Sequence, residues 1–489
     1  MAASVRCIPG FALGFLAHTV WTHSMTGGVR GGRSRPVVAS RPVPHVVPSG
    51  GVPGLGGLAS LRPGVVWGFL NKQPLSVWFV CLYVFLEYFR PQSKYPALAV
   101  LPWSQATVLL GLGAVLLEKG RLRLNLGADK LLGLFTVVIL LSAFSAYRPP
   151  DSWGAMELWL SWLAVYVLIT NSVDTEERYF LFLLMFILNN LWMSQFAVRH
   201  WTQAGFGFVA WGVGGAPGWF QNSGEFGIEM TVFLPIALYF VLTFGGERKR
   251  WQQVLLLCIP ASALIGMVAS SSRGALMGAA GIGIWLVARS RYRMRALLLS
   301  AVVTAGIVAI IPGGFKARLD AMGSDPDSVR RLTMWKVGIE IMNDHPMLGI
   351  GYGNWLSYYG DHYWSGGTIQ VPDVDNELFG SPQVPHNPFV QAGSELGYTG
   401  LAVYLMLIAV TFATNQGTRS RAATLPDGKF IASSALGLDG ALVGYLVSGF
   451  FVTVLYYPYF WVNLAMTVAL HRVARRRVQL NRLAAHTVQ

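Results

Sequence analysis

From residue 74 onward the chain is a succession of apolar runs separated by short polar connectors. A helix needs roughly 18 to 20 apolar residues to cross the hydrocarbon core of a bilayer, and by that criterion the pattern predicts about twelve spans. They fall at 74–90, 103–118, 130–147, 155–171, 178–197, 226–245, 253–271, 274–289, 296–313, 388–415, 431–456 and 457–473. The run Leu61 to Leu70 reads as an interfacial extra. Lipid offers the backbone no hydrogen-bonding partners, so spanning elements must satisfy themselves as helices. The period-two strands of a membrane barrel are absent. The predicted fold class is an all-α polytopic membrane protein.

The polar remainder divides the chain. Residues 1–60, rich in Gly, Pro, Val and Arg, read as a disordered basic tail. Within it Ile8 to Trp21 is short and broken by Gly, which suits a signal-peptide remnant, a weak membrane contact or a misassigned start. Residues 61–313 hold spans one to nine, 314–387 form one large loop, 388–473 hold spans ten to twelve, and 474–489 make a basic tail. Asp325-Pro326-Asp327-Ser328 is a helix-start signal inside the loop. After it Val329, Leu332, Trp335, Ile339 and Met342 recur at helical spacing as an expected apolar face, with Arg330, Thr333, Lys336 and Glu340 opposite. Gly349, Gly351 and Gly353 then call for an irregular, close-packed turn.

Charge distribution orients this array. The net charge of +14 would suit a nucleic-acid partner if it formed one patch, but charged residues are only 12% of the chain and the basic ones sit in connectors. With the first span starting inside and an even span count, the basic connectors near 119–130, 246–252, 290–295 and 416–430 all fall in the cytoplasm. So does the segment from His471 onward. The loop at 314–387, with five Lys or Arg against nine Asp or Glu, falls outside. No nucleic-acid partner is expected. Cys7, Cys81 and Cys258 are too scattered for a disulfide framework or a metal site and read as packing residues.

Candidate chemistry gathers at the same outer face. Arg273, in Ser270-Ser-Ser-Arg-Gly274, sits at the hinge between two spans, where small neighbours leave room for a bulky anion; snorkelling is the alternative. Arg199 ends another span, either as an interfacial anchor beside Trp201 or as a second guanidinium fork on a pyrophosphate. His386, between Pro385 and Asn387-Pro388, is either a solvated loop imidazole or a general base. Glu395, about two turns into the tenth span, is expected to be buried and paired, orienting His386 or an Arg, or serving helix packing. Phosphate loops, dinucleotide-binding glycines and HExxH are missing. Asp373-Val-Asp375 lies outside, where nucleotide sugars are not supplied, so no metal site is expected.

These pieces together resemble a family. Ser271-Ser-Arg-Gly274, Arg331-Leu-Thr-Met-Trp335, Pro346-Met-Leu-Gly-Ile-Gly-Tyr-Gly353, His386-Asn-Pro-Phe389 and Glu395-Leu-Gly-Tyr-Thr-Gly400 resemble the shared core of bacterial O-antigen ligases and O-antigen polymerases. Phe89-Arg-Pro-Gln-Ser-Lys-Tyr95 is similar to a branch assigned to O-glycosylation. The resemblance implies a GT-C-type glycosyltransferase of the bacterial inner membrane, with both termini cytoplasmic and a periplasmic active site. It also implies an undecaprenyl-pyrophosphate-linked glycan as donor, lipid A–core as acceptor, and no metal or other cofactor. In that scheme Arg199 and Arg273 hold the pyrophosphate and His386 activates the acceptor hydroxyl, with Arg331, Asn387 and Glu395 in support. A polymerase, or an O-oligosaccharyltransferase acting on protein, shares this chemistry and differs in acceptor. A transporter or lipid flippase is the alternative of another class; against it stand the absence of an internal repeat and polar chemistry concentrated at one face.

Overall fold

The computed structural model describes residues 55–486, apart from 125, 208–211, 247, 291, 311–322, 324, 366–367 and 370–380. Cys7, the Ile8–Trp21 stretch and the Asp373–Asp375 pair lie outside the described residues. Two short helices, Leu55–Leu58 and Pro63–Leu70, precede the main array, the second falling on the predicted interfacial run.

Among the described residues fourteen further α-helices of eight residues or more follow. They are α1 (Leu75–Tyr88), α2 (Trp103–Lys119), α3 (Gly127–Phe144), α4 (Pro149–Ser172), α5 (Glu176–Gln203), α6 (Ser223–Phe244) and α7 (Arg250–Ala269). After them come α8 (Arg273–Arg289), α9 (Arg293–Ile310), α10 (Pro326–Asp344), α11 (Trp355–His362), α12 (Pro388–Ala422), α13 (Lys429–Ser448) and α14 (Pro458–His486). Strand pairing among the described residues is confined to Trp364–Ser365 against Thr368–Ile369. Every predicted span has a counterpart helix. Among the described residues seven helices are long and apolar enough to cross a membrane: α3 to α7, α12, and α13 with its following turn. Helices α1, α2 and α8 are shorter, at 14, 17 and 17 residues.

Large apolar side chains stand exposed on the flanks: Leu117 at 90%, Ile284 at 72% and Val302 at 67%. In water such surfaces would drive association; against lipid they are ordinary. The centre of the bundle is α6, almost wholly enclosed, packed chiefly on α13, α7 and α8. Small residues permit that closeness. On α8 a Cβ at Gly274 would meet the Ser448 carbonyl at 3.0 Å, and one at Gly278 would meet Ser448 and Thr231 at 2.9 Å. Such small-residue seams let spans approach backbone to backbone. This seam fixes the start of α8, and with it Arg273, beside the end of α13.

Several boundaries differ from the pattern-based expectation. Helix α14 continues without a break to His486, so residues 474–486 extend the last helix instead of forming a separate tail. The predicted span 431–456 ends at Ser448 and passes through a short turn, Gly449–Phe451, into a non-helical connector before Pro458. The tenth span runs on to Ala422 but is broken at Gly397, where φ is 70°. Cys81 is buried as expected, whereas Cys258 is exposed on α7.

The loop helix forms where predicted. The Asp325 carboxylate accepts the Ser328 N–H, as an N-cap should, and α10 follows. Its buried face is not the expected one. Thr333, Met334, Val337, Gly338, Ile341 and Met342 are inside, while Leu332 and Ile339 are about half exposed. Apolar residues lie almost all round this helix, so spacing alone could not select a face. Gly338 decides it, because only glycine leaves room for Val390 of α12.

Candidate active site

The site is built where three chain breaks meet: the α7–α8 hinge, the start of α12 and the connector after α13. At the hinge, Ser271 takes a left-handed φ of 53° and the Ser272 side chain caps α8 by accepting the Ala275 N–H at 3.2 Å. Arg273 is therefore the first residue of α8, and its side chain is only 10% exposed. Its guanidinium makes a two-pronged bond to Asp325, Nη1 to Oδ2 at 2.7 Å and Nη2 to Oδ1 at 3.0 Å. This is the fork geometry that guanidinium uses for carboxylate and phosphate alike. Arg273 and a Ser328 hydroxyl bond at 2.6 Å hold the Asp325 carboxyl well below the usual carboxylate range. One carboxylate thus both caps α10 and neutralises Arg273.

Helix α10 brings Arg330 and Arg331 to the other side of the site. Arg330 pairs with Asp327 at 3.2 Å. Trp335 packs against Phe450 and Phe451 of the turn after α13, at ring separations of 5.3 and 6.1 Å. Two residues on, the Thr453 hydroxyl accepts the His386 N–H at 2.8 Å. His386 itself has φ 49°, a strained value for a non-glycine residue. Burial, followed by the nearby charge of Arg331, pushes its imidazole down to about 4. At neutral pH the ring is therefore uncharged and able to take a proton. Asn387 turns out to be the N-cap of α12, its side-chain oxygen accepting the Phe389 and Val390 N–H groups at 2.8 and 3.1 Å.

Glu395 is buried. It accepts the Tyr456 hydroxyl at 3.0 Å, and the Gly353 and Trp355 N–H groups are directed at it. These partners tie it to the glycine-rich turn and the α13–α14 connector, not to an arginine. The break at Gly397 explains the turn. Carbonyls freed by the break are taken up by the crossing segment, Ile350 N to Ser394 O at 2.9 Å and Gly351 N to Glu395 O at 3.1 Å. Gly349, Gly351 and Gly353 all have positive φ, and a Cβ at Gly349 would lie 2.4 Å from the Glu395 and Ser394 backbones.

Arg199 stands apart from this constellation. Its side chain is exposed near the end of α5. The same helix end packs Trp201 on Val268 and Ala269, just before the hinge, so both arginines lie at one end of the bundle. Arg199 is not among the main charges acting on Arg273 or His386. Sequence reading passed over two residues the site uses. Asp325 was legible only as a cap, since a pair across 52 residues leaves no local signal. Thr453 lay hidden inside a predicted span.

These features define a helical membrane protein in which a carboxylate-held guanidinium fork at the start of α8 is tied through α10 to a neutral imidazole at the start of α12. Residues 254–405 match the family model described as O-Antigen ligase. Over 203 residues the chain is 27% identical to the exopolysaccharide production protein ExoQ of Rhizobium meliloti (strain 1021), covering 39% of this chain and 44% of the relative. The alignment thus spans less than half the length of that relative. The resemblance to the O-antigen ligase superfamily is borne out for the segment 254–405, which carries Arg273, Asp325, α10, His386 and Glu395. Arg199 and Thr453 fall outside the matched range.

Proposed function

We propose that this protein is a metal-independent glycosyltransferase that moves a glycan from undecaprenyl pyrophosphate to an acceptor hydroxyl at the periplasmic face of a bacterial inner membrane. In this reading the chain crosses the membrane twelve times, with the segment 314–387 outside. The observation that carries it is helix α10, whose Asp325 holds the Arg273 fork and whose Arg331 stands near a neutral His386. The donor's pyrophosphate replaces Asp325 on Arg273, and Arg331 and Arg199 add positive charge along the carrier phosphates. His386 takes the acceptor proton as the acceptor oxygen bonds to the anomeric carbon. The bond from that carbon to the phosphate oxygen breaks, and undecaprenyl pyrophosphate leaves with the electron pair. Guanidinium donors fixed in advance stabilise the charge that grows on the leaving group. The remaining demand on the protein is positioning and proton removal.

Lipid A–core is the acceptor proposed first. A second reading has another carrier-linked glycan as acceptor, which makes a polymer. The similarity to a protein named for exopolysaccharide production favours it. Purified protein would be given a carrier-linked glycan with lipid A–core in EDTA, alongside His386→Ala and Arg273→Ala. Transfer by wild type and loss in both variants is expected. Elongation of the carrier-linked glycan alone would select the polymerase; full activity of either variant would remove that residue from the site.

A further inference from the structure

We propose that the end of the bundle remote from His386 carries a second anion site, a cavity built to hold a phosphate group. Helix α12 starts at the candidate active site and ends at Ala422; beyond the Gly397 break it rises roughly 1.5 Å per residue, so Ala422 lies about 40 Å from the break. Its last turn and the extension of α14 past the apolar span enclose an open cavity of about 440 Å³. Arg421, Arg475 and Arg482 line it, with Ser420, Thr424 and Gln479 between them and no carboxylate.

The pairing of neighbouring arginines gives the site its meaning. On α14, Arg472 bonds Asp129 at 3.0 Å, Arg476 lies 3.7 Å from Asp174, and Arg477 lies 3.1 Å from Glu176. On α12, Arg419 pairs with Asp439. Among the described residues, no ion pair to a carboxylate involves Arg421, Arg475 or Arg482. On these two helices, then, each described arginine outside the cavity lies within ion-pair distance of a carboxylate, and the three that line it do not. Three guanidinium groups around one space repel each other unless an anion joins them, and phosphate suits their fork geometry best. The walls are held in place beforehand. Buried Thr418 and His471, a turn inward along each helix from Arg421 and Arg475, bond at 2.9 Å, and Arg421 donates to the Gly417 carbonyl at 2.9 Å. Under the twelve-crossing reading this end faces the cytoplasm, where anionic phospholipid headgroups supply such phosphates. The cavity itself does not depend on that assignment.

The test uses full-length protein in detergent and native mass spectrometry with phosphatidylglycerol, phosphatidylcholine or inorganic pyrophosphate. The variant Arg421→Gln/Arg475→Gln/Arg482→Gln is compared with a charge-matched control, Arg121→Gln/Arg123→Gln/Arg250→Gln. Wild type and control are expected to retain phosphatidylglycerol, and the cavity variant to hold it at least about tenfold more weakly, given roughly 1 kcal/mol per arginine. Pyrophosphate binding that needs the three arginines, without lipid retention, would assign a soluble phosphate to the same cavity. Equal losses in the two triple variants would reduce the effect to diffuse surface charge and overturn the site. So would no binding of either probe by wild type. Arg482→Gln alone, on an exposed turn, keeps the comparison readable if the triple variant fails to fold, with a loss of about fivefold expected.

Discussion

His386 works, in the proposed reaction, only while its ring is neutral. Its folded pKa of about 4 lies below the ordinary value, through burial and the Arg331 charge. Protonation therefore removes activity as pH falls through about 4, and kcat/KM, which reports the free enzyme, should be flat through neutral pH. Arg331→Gln removes a repelling charge, so the acid limb should move upward toward the unperturbed ~6.5, without reaching it because burial remains. A limb that stays put in a pH profile of this variant would take Arg331 out of the neighbourhood. Asp325 offers a second test at this scale. In the donor-free enzyme its carboxylate occupies the guanidinium that the pyrophosphate needs. Asparagine caps a helix about as well as aspartate, so Asp325→Asn should leave α10 in place while abolishing the competing charge. Donor KM is expected to fall by up to about tenfold, equivalent to ~1.4 kcal/mol. An unchanged or higher donor KM in steady-state transfer assays would mean that Asp325 supports donor binding instead of yielding to it.

The break in α12 shows how an element can be readable in outline and hidden in function. Apolar spacing gave a helix from Pro388 onward, and the glycine cluster at 349–353 signalled a close turn, but nothing local linked the two. The link is long-range: the Gly397 break frees the Ser394 and Glu395 carbonyls, and the 350–351 amides take them. A similar limit explains the misread face of α10. Leu332 and Ile339 fit an apolar stripe as well as Met334 and Ile341 do, and only the tight Gly338–Val390 approach selects between them. Gly397→Ala should therefore be costly. Its φ of 70° disfavours any side chain, and a Cβ would lie 2.5 Å from the Met347 carbonyl. A loss of about 2 kcal/mol or more is expected, seen as a lower Tm in detergent together with lost transfer activity. Gly360→Ala, where a Cβ meets nothing within 4 Å, is the control that should leave Tm unchanged. Equal Tm values for the two variants would mean that the break is not needed to seat the turn.

At the scale of the whole molecule, the periodicity of the chain fixes how many helices there are, while sidedness comes only from charge. Helices α1, α2 and α8 are too short for length alone to declare them spans, so the parity of the array rests on the basic connectors and the acidic loop. The proposed reaction asks for a sidedness of its own, since in it His386 and Arg273 face the compartment where a carrier-linked glycan is presented. The proposed reaction and the charge pattern ask for the same orientation, in which Ser381 is outside and Ala423, at the far end of α12, inside. Both residues are exposed, so cysteines introduced there report sidedness directly. In a background with Cys7, Cys81 and Cys258 replaced by serine, a membrane-impermeant maleimide should label Ser381→Cys in intact spheroplasts. Ala423→Cys should be labelled only after the membrane is opened. One helix separates the two positions, so they occupy opposite sides whatever the total count. Labelling of Ala423→Cys alone in sealed cells would invert the array, move His386 to the cytoplasm and remove the proposed donor from its reach.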